Sequence, residues 1–246
     1  MILNGYKLHK KIYENNQTFV YRATRNIDQK SIILKILKNE YPTIEEISNL
    51  EKEYKIFSKL HFKGILQVYA LEKLNHKYVI IMEDFSGDSL AKLRKPYFTN
   101  LDIKEFLILA IKISDILMQA HSFNMTHRNL NPYNILWNPL TGDVKIIDFS
   151  NSSFLSEEYQ EYKGSYNLKN LHYISPEQTG KMNRTVDYRT DFYSLGIIFY
   201  EILANELPFE SEIASEVIYS HIAKTPIFLK QLNDKIPTVI DRKSVV

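Results

Sequence analysis

Residues Thr126 to Leu136 read THRNLNPYNIL, and residues Lys145 to Ser150 read KIIDFS. The apolar runs NILW and VKIID within and between these stretches predict short strand-like pieces, with Asn134 at the start of the first and Asp148 at the end of the second. Taken alone, an Asn or an Asp at such a place is more often a turn residue. Asn129 and Asn131, in the same loop, are neutral.

Working outward, the sequence predicts a helix from Asp102 to Phe123, opened by a capping box of Asp102 with Glu105 and carrying Phe106, Ala110, Ile113 and Leu117 on its apolar face. Beyond the loop, a helix from Asp191 to Leu203 is apolar almost all round, which marks it as the buried centre of a helical region. On the N-terminal side, YKLHKKIY, TFVYRAT and SIILKIL alternate with polar turns and predict consecutive antiparallel strands. A helix is expected from Ile44 to Leu60, with Thr43 and Glu46 as a capping box. Glu53 falls within its apolar stripe, where an acid needs a partner. The runs ILQVYALE and YVIIMED complete a small sheet, and Gly87 opens a turn. The order implies an α+β chain of two lobes: a β-rich N-lobe over about residues 1–85, and a mainly helical C-lobe over about 86–240. A cleft between lobes is a usual place for a ligand.

The 246 residues, 44% of them hydrophobic, can build a substantial core, and 31 Lys and Arg against 29 Asp and Glu give no strong bulk field for nucleic acid or a membrane surface. The absence of cysteine excludes disulfides, thiolate metal sites and a cysteine nucleophile. No signal peptide is read at the N-terminus, and the most apolar stretch, LGIIFYEIL, is far shorter than the roughly 20 residues that span a bilayer. A cytoplasmic location is the resulting expectation.

The spacing HRNxxxxN followed by DFS resembles the catalytic-loop and metal-binding signature of protein kinases, HRDLKxxN and DFG. SPE at Ser175 to Glu177 resembles the A-P-E motif that ends the activation segment, and DFYSLG at Asp191 to Gly196 resembles the start of the central kinase helix, whose Asp steadies the catalytic-loop backbone. Val20 in FVYRA is similar to the valine closing the glycine-rich loop, and Lys35 in IILK to the V-A-I-K lysine. The resemblance implies ATP and Mg²⁺ as cofactors. Lys35 would hold the α and β phosphates and pair with Glu53, with Glu51 as the alternative partner. Glu83 and Phe85 would bond an adenine edge through their backbones, Val20 and Leu136 would be further cofactor-binding positions, and Asn134 and Asp148 would bind the metal.

An aminoglycoside phosphotransferase also carries an HxDxxxxN loop, but lacks the SPE and DFYSLG combination, so the Ser/Thr protein kinase type is preferred. HYISPEQTGKMNRTVDYRTDFYSLGIIFYEILANELPF is similar to the N-terminal kinase-like module of very large bacterial sensor proteins that also contain an ATPase region and a histidine kinase. That resemblance implies further domains and a protein substrate or signalling partner; the charge balance and the short apolar runs add the expectation of no nucleic acid and no membrane. By comparison with kinases, helices after the central one are mostly missing, including an Arg to pair with Glu177, so a truncated C-lobe is expected. The ending DRKSVV is what GATCGGAAGAGCGTCGTG would encode and resembles a sequencing-library adapter, which predicts a non-native tail at residues 241–246.

Five departures from the kinase pattern bear on activity. The glycine-loop positions hold Tyr13, Asn15 and Thr18, whose side chains obstruct close approach of backbone amides to phosphate. Asn129 replaces the proton-accepting Asp, and Asn131 replaces a catalytic-loop Lys beside the transferring phosphate. Ser150 stands for the DFG glycine, and Asn170 for a Thr ahead of SPE. The expected function is an ATP-binding kinase-fold signalling module with phosphotransfer weakened or absent. An active Ser/Thr kinase and an interaction scaffold that binds no nucleotide are the alternatives. Ser152, Ser153, Ser156, Tyr159 and Tyr162 make the activation-segment region a candidate for phosphorylation, beside the reading of a solvated polar loop.

Overall fold

The computed structural model describes residues 3–149, 152–154 and 168–241. Ser150, Ser156, Tyr159, Tyr162 and residues 242–246 of the expected tail lie outside the described residues. The chain divides into two compact units, Met1–Ser86 and Gly87–Val246.

The first unit is a five-stranded antiparallel sheet in the order β1-β2-β3-β5-β4 with one helix, α1: β1 Tyr6–Glu14, β2 Thr18–Arg25, β3 Lys30–Leu37, α1 Ile44–Phe57, β4 Val68–Leu74 and β5 Lys77–Glu83. The run KSIILKIL is almost continuously apolar because β3 is covered on both faces. Its even positions, Ile32, Leu34 and Ile36, pack with Ala23, Val79 and Ile81, which leaves Lys35 on the opposite face. Asn75 and His76, both at positive φ, form the two-residue turn between β4 and β5, the conformation a tight hairpin demands.

Helix α1 has the expected Thr43–Glu46 capping box, but it ends at Phe57 rather than Leu60. The Ser58 amide bonds back to Tyr54 and Ile56 carbonyls and its hydroxyl to Lys55, which closes the last turn. The strand expected from Ile65 begins only at Val68. There the Gln67 amide donates to the Glu83 side chain, which takes the place of a ladder partner.

The second unit comprises β6 Asp88–Ser89, α2 Leu90–Tyr97, α3 Ile103–Ser122, β7 Met125–Thr126, β8 Ile135–Trp137, β9 Val144–Ile146, β10 Ser153–Phe154, α4 Leu168–Leu171, α5 Arg189–Ala204, α6 Ala214–Ala223, α7 Leu229–Leu232 and α8 Thr238–Asp241. Strands β6, β8 and β9 form one small antiparallel sheet, and β7 pairs with β10. These two- and three-residue strands exist to aim loops; most of the unit's core is helical. Helix α3 carries the expected Asp102–Glu105 capping box, and its Phe106 meets Phe199 of α5 edge to face at 5.4 Å.

Helix α5 buries polar side chains along with its apolar ones, and those polar groups have partners. Ser194 donates to the Tyr173 carbonyl, and Glu201 accepts from the Tyr173 hydroxyl at 2.7 Å while pairing with Arg94 of α2 at 2.8 Å. Burial pushes the Glu201 carboxyl above the ordinary carboxylate range, against the opposing effects of the Tyr173 hydrogen bond and Arg94. Among the described residues no helix is long and apolar enough to cross a membrane.

His221 of α6 is buried between Tyr193, whose hydroxyl lies 2.8 Å from Nδ1, and the Leu171 carbonyl, 2.9 Å from Nε2. Desolvation lowers its pKa from 6.5 to about 4. The unfolded chain therefore binds a proton near pH 6.5 that the folded chain refuses until about pH 4. The stability contributed by this difference is complete above that window and declines through it as pH falls, by about 3 kcal/mol at its foot. Urea midpoints measured across pH should show this decline, and His221→Gln should remove most of it; an unchanged slope in the variant would assign the effect elsewhere.

Candidate functional site

In the first unit, Val20 and Lys35 are direct partners in the β2–β3 register, so both side chains stand on the same face of the sheet. Lys35 Nζ lies 2.6 Å from both carboxylate oxygens of Glu53, and the Glu53 side chain is 6% exposed. This is the partner that the acid in the apolar stripe of α1 required; the pair member is Glu53, not Glu51. Both oxygens of the one carboxylate engage the ammonium and hold the flexible lysine in one geometry.

The β1–β2 connection replaces a glycine-rich loop with a turn that satisfies itself. Asn15 Oδ1 accepts from the Gln17 amide (3.0 Å), the Thr18 amide (2.7 Å) and the Thr18 hydroxyl (3.0 Å), and the Asn15 amide donates to the Thr18 carbonyl. Amides that would face a phosphate in a glycine-rich loop are thus already bonded within the chain. Glu14, at the same end of the hairpin, pairs with both Lys11 and Lys38, whose ammonium groups lie over the Phe19 ring.

At the end of this unit Met82 is buried and Glu83, Asp84 and Phe85 are half-buried. Side chains as well as backbone groups shape this segment. Glu83 holds Gln67, while Asp84 pairs with Arg22 of β2 at 2.8 Å and accepts from Ser31 of β3 at 2.7 Å. These contacts fix the course of the backbone through residues 83–85.

In the second unit, the 127–134 loop is built around Asp191, which is wholly buried. Its carboxylate accepts from the His127 amide at 2.8 Å and the Arg128 amide at 2.9 Å, and lies 2.8 Å from His121 Nε2. His127, also wholly buried, bonds the Ile147 carbonyl through Nε2 and meets the Phe149 ring at 4.6 Å between centroids, tilted by 59°, which ties the loop to the 147–149 segment. Arg128 and Asp148 both adopt left-handed backbone conformations, with φ of 60° and 63°. For residues other than glycine this costs roughly 1 kcal/mol or more each, and strain of this kind gathers at functional sites.

Asn129 sits at the centre of an amide lattice. Its backbone carbonyl accepts from Asn131 Nδ2 and Asn134 Nδ2, both at 2.9 Å. Its side-chain oxygen accepts from Asn170 at 3.3 Å and Asn131 at 3.4 Å, and its Nδ2 donates to Asp148 at 3.4 Å. Asn131 is itself 2% exposed and accepts from the Tyr133 amide, so it folds the loop rather than presenting a group to a ligand.

Asn134 precedes β8, and its carbonyl accepts from the Ile147 amide at 2.9 Å, which brings the backbone of the Asn134 strand beside that leading to Asp148. With Asn134 Nδ2 committed to Asn129, its Oδ1 is the group left to meet a cation; with the Asp148 carboxylate this is an oxygen pair that suits Mg²⁺. Leu136 lies in β8, half-buried, opposite Lys145 of β9. Gln178, which carried no expected role, donates from Nε2 to the Arg128 carbonyl at 2.8 Å. Its only sequence signal was its place after SPE.

A family model described as the protein kinase domain matches residues 6–244. A probable serine/threonine-protein kinase of Clostridium perfringens is 30% identical over 97% of this chain and 34% of its own length. The serine/threonine-protein kinase PrkC of Bacillus subtilis is 30% identical over 98% of this chain and 36% of its own length. A hybrid signal transduction histidine kinase of Dictyostelium discoideum is 26% identical over 58% of this chain and 6% of its own length. The chain thus spans about a third of the two bacterial relatives and a small part of the third. With the β-rich and helical units, the HRN loop and the DFS and SPE segments in family order, the chain belongs to the protein kinase domain family, of the eukaryotic Ser/Thr type.

Proposed function

We propose that this chain is a Mg²⁺·ATP-binding signalling module whose phosphotransfer is weakened or absent. The observation that carries the reading is the neutral lattice around Asn129: the position of the proton acceptor holds an amide whose oxygen already accepts from Asn170 and Asn131. An amide can orient a hydroxyl but is a poor proton acceptor, and general-base help accounts for roughly 10² to 10⁴ in rate. In this reading Lys35, held by Glu53, supplies charge to the phosphates, Glu83 and Phe85 offer backbone groups to the base, and Val20 and Leu136 offer apolar contact. Asn134 and Asp148 hold magnesium, which would neutralise phosphate charge when bound. The self-bonded Asn15 turn adds little, so affinity rests on the remaining groups.

The match to part of a hybrid histidine kinase and the SPEQTGKMNR segment support a place within a larger cytoplasmic sensor protein, with a protein partner or substrate. A thermal-shift titration tests the nucleotide claim. With ATP and Mg²⁺ at about 100 times Kd, the native state gains about 2.7 kcal/mol. Lys35→Met should weaken nucleotide binding about tenfold or more through loss of a charge-assisted contact. No shift of the parent protein at millimolar ATP would refute the reading.

A further inference from the structure

We propose that Gln178 is a positioning residue that holds the backbone of the 127–134 loop in its left-handed turn, acting together with Asn170. The proposal deepens the reading above, since the loop in question carries Asn134.

Gln178 lies in the short turn Pro176–Thr179 and is 8% exposed. Its side-chain oxygen accepts from the Ser175 amide at 3.2 Å and the Ser175 hydroxyl at 3.1 Å. Ser175 is wholly buried and bonded in turn to the Thr190 hydroxyl of α5. The carbonyl end of Gln178 is therefore anchored to the helical core, which aims its Nε2 at the Arg128 carbonyl, 2.8 Å away. Eight residues earlier, Asn170 reaches the side chain of the next loop residue, Asn129. The 170–178 segment thus grips two consecutive loop residues, one through the backbone and one through the side chain. A void of about 20 Å³ remains between these straps, lined by Arg128, Asn129, Asn170 and Gln178 among others.

Arg128 is the place where such a grip matters. Its amide is held by Asp191, and the left-handed φ of 60° swings its carbonyl away from any helical or strand partner. A donor must come from elsewhere in the chain to satisfy that carbonyl. A primary amide can accept from the Ser175 turn and donate to Arg128 together. Glutamate keeps the acceptor and loses the donor; methionine keeps the shape and loses both.

That difference gives the test. Amide hydrogen exchange is followed in the ligand-free full chain, at about pH 8, for the parent, Gln178→Glu, Gln178→Met and, as a control that removes a buried hydroxyl far along α5, Tyr200→Phe. Exchange across residues 125–136 should rise about tenfold in both Gln178 variants, and by less than about twofold in the control. An unaltered loop in Gln178→Glu would show that the residue serves only the Ser175 turn, and an equal rise in Tyr200→Phe would show general loosening; either result overturns the proposal. A Mn²⁺ titration by electron paramagnetic resonance with ADP present adds a second arm, in which Gln178→Glu should bind Mn²⁺ several-fold more weakly than the parent, and equal affinity would again count against positioning. If the parent binds no Mn²⁺, the nucleotide reading fails while the exchange comparison still decides the role of Gln178.

Discussion

Asp191→Ala is expected to lower the unfolding free energy by about 4–6 kcal/mol. The carboxylate is wholly buried and serves three donors: the His127 amide, the Arg128 amide and His121 Nε2. Alanine leaves two buried backbone N–H groups and a ring nitrogen without their acceptor. Each orphaned group costs roughly 1–3 kcal/mol, and the loop cannot rotate the amides outward without giving up the His127 contacts with Ile147 and Phe149. Asp191→Asn should lose roughly half as much, because one oxygen remains while the new NH₂ group faces donors. Urea denaturation of both variants checks this: the midpoint should fall with little change in slope. A loss below about 1 kcal/mol for Asp191→Ala would mean that water replaces the carboxylate, and that the loop does not depend on it.

Asn129→Asp should raise phosphotransfer by about 10²-fold or more over the parent, if the neutral lattice is what suppresses it. The new carboxylate would inherit two favourable donors, Asn170 Nδ2 and Asn131 Nδ2. It would also stand within about hydrogen-bond range of the Asp148 carboxylate, where Asn129 Nδ2 now lies at 3.4 Å. Two carboxylates so placed repel by up to roughly 4 kcal/mol at an effective dielectric near 20. The variant should therefore melt lower than the parent without metal and recover when Mg²⁺ is added. The gain in rate should stay below the general-base maximum of roughly 10⁴, because Asn131 still supplies no charge to the moving phosphate. Radiolabelled transfer from ATP to a general protein substrate measures the rate, and a parent as fast as the Asp form would sink the assignment of weakened chemistry.

The parts of this structure that could be read from the sequence are those whose cause is local. Thr43 with Glu46 and Asp102 with Glu105 announce helix starts because both partners of each capping box lie three residues apart. Glu53 was conspicuous because a charge broke a 3.6-residue pattern, and Lys35 answers it across 18 residues. The strand and helix ends shifted where a side chain intervened, Glu83 at the start of β4 and Ser58 at the end of α1. Polar contacts between distant segments left no such trace. Gln178 and the carbonyl it meets are 50 residues apart, and Asn170 and Asn129 are 41 apart. The sequence showed Asn131 and Asn170 as missing charge and missing hydroxyl; it took the fold to show both bonded to Asn129, as a substitute lattice. His221 likewise gave no signal, since a histidine in an apolar helix reads the same whether its ring is buried or exposed.

The attachment of the 127–134 loop to Asp191 also sets an order of events when the chain folds. The acceptor for the His127 amide lies 64 residues further along, at the start of α5. During synthesis the loop sequence emerges well before that carboxylate exists, and strands β8 and β9 can form around a segment that has no reason yet to turn left-handed at Arg128. Closure over so long a stretch is slow relative to local helix and hairpin formation. The loop can therefore gain the contacts that hold its left-handed turn at Arg128 only once α5 has docked and supplied the Asp191 carboxylate.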